Sequence, residues 1–251
     1  LSLDELGLFD MSIVLPDSVV PDAHGSGYFT FIAEPDPGET VIDKVFTLIV
    51  DRSGSMTGDK MTQARDAASF IVENLNEGDL FNIVDFSTHV TSFKPSHVPY
   101  TPENESAALS YIAGLGASGG TNISGAFETA IPQFSVANDS TANLIIFFTD
   151  GIPTVGLTET QEILDHVSTL VNQNETEVII FTFGIGSDTN RQLLTLLASD
   201  NNGLAEFLGN DELEERITGF YLTIRNPVLL NTEMTFSPEI VTESYPRVLP
   251  N

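Results

Sequence analysis

KVFTLIVDRSGSM, residues 44–56, joins an apolar run to a loop of oxygen-bearing side chains. Val45–Val50 is apolar almost throughout, the pattern of a strand covered on both faces in a parallel sheet. Asp51, Ser53 and Ser55 follow directly in D-x-S-x-S spacing. Beyond them, Lys60–Asn74 sets Ala64, Ala67, Ala68, Ile71 and Val72 at helical intervals, with Leu75 next. The opening unit is therefore strand, loop, helix.

The same alternation continues outward. Strands are expected at Leu80–Phe86, Leu144–Thr149, Val178–Gly184 and Ala205–Leu208, with a short edge strand at Val90–Phe93 stopped by Pro95. Helices are expected at Glu103–Gly114, Ser124–Phe134, Glu159–Gln173, Asn190–Ser199 and Asp211–Gly219. Apolar strands alternating with helices predict an α/β fold: a doubly wound, Rossmann-like, mostly parallel sheet flanked by helices. Residues 1–43 read as an N-terminal β extension, 44–219 as the main domain and 220–251 as a C-terminal β extension. Gly27–Ala33 and Tyr221–Phe236 alternate like strands, and are expected to pair into a small β subdomain.

In a doubly wound sheet the ligand sits beyond the carboxyl ends of the strands. Three groups of oxygen donors fall there: Asp51, Ser53 and Ser55; Thr121 after Gly119-Gly120; and Asp150 in Thr149-Asp150-Gly151. Carboxylates and hydroxyls are hard donors of the kind Mg²⁺, Mn²⁺ and Ca²⁺ prefer. Alone, D-x-S-x-S is often a helix cap or an Asx turn, and TDG is often a plain turn. Together, in order and at the right loops, they predict a site for one divalent cation (Mg²⁺, Mn²⁺ or Ca²⁺).

With DRSGS (51–55), Thr121 and TDG (149–151), the chain resembles a von Willebrand factor type A domain with a complete metal-ion-dependent adhesion site. GYFTFIAEP (27–35), FNIVDFS (81–87), GGTNI (119–123), IIFFTDG (145–151) and FYLTIRNPVLLNTEMTF (220–236) extend the likeness to the A domain and flanks of inter-alpha-trypsin inhibitor heavy chains and their bacterial relatives. The resemblance spans roughly residues 25–240. It implies that Ser53 and Ser55 ligate the metal directly, and Thr121 does so in the ligand-bound state. Asp51 and Asp150 would act partly through water, and a Glu or Asp of a protein or peptide partner would complete the shell. Neutral hydroxyls leave most of the ion's charge uncompensated, so it attracts an external carboxylate.

Composition narrows the partners. The chain holds 36 acidic residues against 9 Lys and Arg, a formal charge of −27, so phosphate-rich nucleic acid is not an expected partner. An anionic membrane surface is disfavoured likewise. Such self-repulsion is tolerable where salt screens it; at seawater-like ionic strength the screening length is roughly 3–5 Å, and a saline (marine or halophilic) or calcium-bearing medium is expected. There is no Cys and no 18-residue apolar run, so neither disulfides nor a membrane-spanning helix is expected. Leu1–Asp10 carries three acidic and no basic residues, unlike a secretory leader, and the chain reads as a domain of something longer.

The four His (His24, His89, His97, His166) lack ligand spacing and are expected in surface or loop roles rather than in catalysis. Gly184-Ile185-Gly186 lacks the rest of a dinucleotide motif and reads as a turn. Arg52 and Met56 flank the metal loop and could face a partner; a solvent-exposed loop position is the plainer reading for Arg52. The expected function is a cation-dependent binding module and not an enzyme. It would be extracellular or cell-surface, one domain of a larger bacterial adhesin, and monomeric when isolated. A structural spacer with a vestigial site, or an accessory domain of a metal-dependent enzyme, are the alternatives.

Overall fold

The computed structural model describes residues 6–14, 27–35, 43–134, 141–174, 176–208, 217 and 219–221. The chain divides into two compact units, Leu1–Val41 and Ile42–Asn251.

The first unit is an antiparallel pair, β1 (Leu6–Val14) and β2 (Gly27–Pro35), in register from Leu6↔Pro35 to Val14↔Gly27. The strand expected at Gly27–Ala33 is present and pairs with the neighbouring segment. Its expected pairing with Tyr221–Phe236 falls almost wholly on residues 222–251, which lie outside the described residues. β1 escaped the sequence reading although Phe9, Met11 and Ile13 recur at every second position of it.

The second unit is the expected doubly wound sheet. Its strands are β3 (Asp43–Asp51), β4 (Leu80–Phe86), β5 (Val90–Ser92), β6 (Val98–Pro99), β7 (Thr141–Thr149), β8 (Ile179–Ile185) and β9 (Ala205–Leu208). The order is β5-β4-β3-β7-β8-β9, with β6 also on β4; β5 and β6 are antiparallel and the rest parallel. The chain winds one way from β3 to β4 and the other way from β7 to β9, so the switch point lies between β3 and β7.

The helices are α1 (Asp59–Glu73), α2 (Pro102–Ala113), α3 (Ile123–Ala130), α4 (Thr160–Gln173) and α5 (Arg191–Ser199). Strand parity sorts the core into two layers. Phe46, Leu48 and Val50 pack with Ala64, Ala68 and Ile71 of α1; Val45 and Ile49 pack with Phe127 of α3, Ile163 of α4 and Leu194 of α5. Each fully buried Ile or Phe contributes about 1.5–3 kcal/mol. α3 stops at Ala130 instead of running to Phe134, because Pro132 lacks the N–H that would continue the ladder; Ile131–Gln133 tightens into a 3-10 turn.

Two polar arrangements support the frame. At the start of β3 the Lys44 ammonium lies 3.1 Å from Asp79, both side chains being buried. Asp79 also accepts the backbone N–H groups of Lys44 (3.1 Å) and Asn76 (2.8 Å). His97, expected at the surface or in a loop rather than in catalysis, lies in a loop and ties the sheet to the turn after α3. Its Nε2 lies 2.7 Å from the Thr47 hydroxyl, and its Nδ1 3.2 Å from the Gln133 carbonyl. Burial lowers the His97 pKa to about 4, against the pull of the Gln133 carbonyl. The neutral ring thus donates from Nδ1 and accepts at Nε2.

The last described residues, Ile217 and 219–221, are helical. Phe220 and Tyr221, placed by sequence in the C-terminal β extension, belong to this helical segment and are buried. Phe220 packs edge-on against Phe181 and Phe183, Tyr221 against Phe70, and the Tyr221 hydroxyl donates to the Asn74 carbonyl.

Candidate metal centre

Register builds the site. Val50 pairs with Phe148 across the switch point, so Asp51 ends one strand beside Thr149 at the end of the next. Thr149 Oγ1 donates to Asp51 Oδ2 at 2.5 Å, and the Ser53 N–H donates to Asp51 Oδ1 at 2.7 Å. Both oxygens of Asp51 are thus engaged in orienting the loop that follows. Ser53 and Ser55 bring their hydroxyls within 3.1 Å of each other, Ser53 buried and Ser55 exposed.

The loop carrying Thr121 is fastened to that loop by backbone bonds: Gly54 N–H to Gly119 O at 2.9 Å, and Ser118 N–H to Arg52 O at 2.7 Å. Thr121, almost fully buried, accepts at its carbonyl from Thr154 and Val155 N–H, while its own N–H donates to Thr154 Oγ1 at 2.8 Å. Gly120 permits this approach: a Cβ there would stand 2.7 Å from Val155 Cγ2 and 3.0 Å from Thr154 Oγ1. Asn122 then caps α3, accepting from the Gly125 N–H at 3.1 Å. The five predicted residues therefore lie on three interlocked loops at the switch point.

Asp150 completes the set. It is fully buried, its Oδ2 faces Lys60 Nζ at 3.3 Å, and its Oδ1 is buried without a hydrogen-bond partner. Burial pushes the Asp51 pKa up to about 6, against the hydrogen bonds from Thr149 and Ser53; the nearby charge of Asp150 adds to the rise. Two buried carboxylates, one with an unanswered oxygen, beside clustered hydroxyls form a set short of positive charge, which a hard dication fits. Ser53, Ser55 and Thr121 would hold such an ion by their hydroxyls, and Asp51 and Asp150 would supply the compensating charge. Among the described residues no three His, Cys, Asp or Glu cluster as a metal site, so the fit rests on hydroxyls and two acids.

The profile of the von Willebrand factor type A domain matches residues 46–207. The chain belongs to that family. The chain is similar to human inter-alpha-trypsin inhibitor heavy chain H4, 37% identical over 218 residues, covering 84% of this chain and 23% of that protein. The bovine H4 chain is 34% identical over 86% of this chain and 24% of its own length. The chain thus spans about a quarter of these relatives. Among solved structures, a von Willebrand factor type A protein from Catenulispora acidiphila superposes with a TM-score of 0.67 at 18% identity, covering 88% of this chain and 50% of that one. The vWF domain of the type V pili tip protein Mfa5 from Porphyromonas gingivalis gives 0.60 at 12%, covering 78% and 99%.

Several residues of this A domain site were not singled out from sequence. Thr149, read from sequence only as part of TDG, positions Asp51, and strand register is what brings the two together. Lys60 also bonds Asp188 Oδ1 at 2.7 Å, on the loop after β8. Burial lowers the Lys60 pKa, but the Asp188 hydrogen bond and the Asp150 charge outweigh it and hold it above the usual value. Arg52 is no free loop residue: its guanidinium pairs with buried Asp85, which also accepts from the Tyr111 hydroxyl. Met56 cannot face a partner, being buried among the core residues. Of Gly184-Ile185-Gly186, read as a turn, the first two end β8 and only Gly186 lies beyond the strand, with φ +96°.

Proposed function

We propose that this A domain binds one divalent cation through Ser53, Ser55 and Thr121, supported by Asp51 and Asp150, and that the ion receives a Glu or Asp carboxylate of a protein or peptide partner. The observation that carries the reading is the buried Oδ1 of Asp150, which has no hydrogen-bond partner. A structural carboxylate would have both oxygens satisfied. Exposed Ser55, and Ile152 at 42% exposure next to Gly151, leave the rim open to a protein surface. The role is binding and not turnover. We place the domain in a larger extracellular or cell-surface bacterial adhesin, monomeric when isolated; a pilus-tip protein among its fold neighbours is in keeping with that role. Among the described residues no helix is long and apolar enough to cross a membrane.

The test is capture of the domain by immobilised peptides that each carry one glutamate, against the same peptides with glutamine. Capture should need Mg²⁺ or Mn²⁺, vanish in EDTA, vanish with glutamine and vanish in Ser53→Ala. Capture that persists in EDTA would refute the proposal.

A further inference from the structure

Lys60, in the first turn of α1, stands between two acids of different character. Its Nζ lies 3.3 Å from Asp150 Oδ2 and 2.7 Å from Asp188 Oδ1. Asp150 is fully buried in the metal centre, whereas the Asp188 side chain is 59% exposed on the loop after β8. The fold makes room for the lysine. Gly186 has φ +96°, and a Cβ there would stand 2.5 Å from Lys60 Cε and 3.2 Å from Nζ. The loop that receives the ammonium is also fastened to the strand end that carries Asp150. Thr189 Oγ1 donates to Gly186 O at 2.6 Å, and the Asn190 N–H donates to Asp150 O at 2.9 Å. One cation is therefore shared between a carboxylate of the site and a carboxylate facing solvent.

We infer that Lys60 is a resident counter-cation of Asp150 that competes with the divalent metal, and that Asp188 is the acceptor it keeps when the metal arrives. This rests on the metal reading above. A buried carboxylate without compensating charge is costly, and Lys60 lowers that cost in the metal-free domain. A dication brings two charges to the same carboxylate and repels the ammonium twice as strongly as a monovalent ion would. Metal affinity is thereby reduced by the work of moving Lys60 aside. Asp188 reduces that work, because the ammonium moves toward a partner it already touches. The two acids then have opposite roles toward Lys60: Asp150 holds it close to the incoming charge, and Asp188 draws it off.

Calorimetric titration of Mn²⁺ into the EDTA-stripped chain tests this. Lys60→Met should bind Mn²⁺ about tenfold more tightly than wild type, and should melt lower than wild type in EDTA. Asp188→Asn should bind about threefold more weakly, and the same change in a Lys60→Met background should have no effect. Asp188 is exposed, so its single variant keeps the test alive if Lys60→Met does not fold: unchanged or tighter Mn²⁺ binding by Asp188→Asn overturns the inference. So does Lys60→Met binding no tighter than wild type, or an Asp188→Asn loss that persists without Lys60. A wild-type chain that takes up no Mn²⁺ sinks the metal reading itself. A wild-type chain that binds Mn²⁺, with Lys60→Met indifferent, sinks this inference alone.

Discussion

Two fully buried carboxylates, one beside the start of β3 and one just past the end of β7, are treated differently. Beside β3, Asp79 has both oxygens engaged: Lys44 Nζ and the Lys44 N–H on Oδ1, the Asn76 N–H on Oδ2. Past the end of β7, Asp150 has Lys60 on one oxygen and nothing on the other. The same side chain at the same burial therefore serves two purposes. One is saturated because its task is to fasten the chain. On the proposed reading, the other is left short because the metal ion completes it.

The comparison can be broken from either end. The largest effect belongs to the saturated acid. Lys44→Met strands Asp79 in the interior, and should lower unfolding stability by about 3–5 kcal/mol. Denaturation with and without Mg²⁺ should show the same deficit; a deficit that Mg²⁺ repairs would mean that the two acids are not separate. Next comes the unsaturated acid. A metal at a hundredfold excess over its Kd should stabilise wild type by about 2.7 kcal/mol. Ser53→Ala should lose that gain while melting in EDTA within about 1 kcal/mol of wild type. If the variant keeps the gain, the hydroxyl cluster is not the binding site.

The smallest effect lies away from both acids. The His97 pKa, about 4 in the folded chain, lies below its ordinary value of 6.5, so the unfolded chain takes the proton first. Stability should fall as pH drops from about 6.5, by about 2 kcal/mol once pH 4 is reached after discounting for partial exposure. His97→Gln in EDTA should flatten that part of the profile. Identical slopes for wild type and variant would show that His97 titrates freely.

The sheet and the loops of the candidate site were legible because their signals are local. Val45–Val50, Leu80–Phe86 and Leu144–Thr149 are apolar runs too continuous for anything but covered strands, and D-x-S-x-S and TDG sit directly at strand ends. What escaped depends on contacts across the chain. Lys60 meets Asp150 and Asp188 over separations of 90 and 128 residues. Arg52 reads as a loop residue until β4 brings Asp85 beside it, and Met56 reads as rim until the turn after Ser53 folds it inward. β6, only two residues long, carries no periodicity at all. Alternation alone cannot rank the partners of β2, and β1, its neighbour in the chain, pairs with it.

The anchoring of the final helical segment has a mechanical consequence. Phe220 is lodged against β8, and Tyr221 against Phe70 and Asn74 at the far end of α1. A pull on the chain beyond residue 221 is therefore borne first by β8 and α1. Those two elements lead to Asp188 and carry Lys60, so tension in the tail is delivered to the supports of the lysine that shares Asp150.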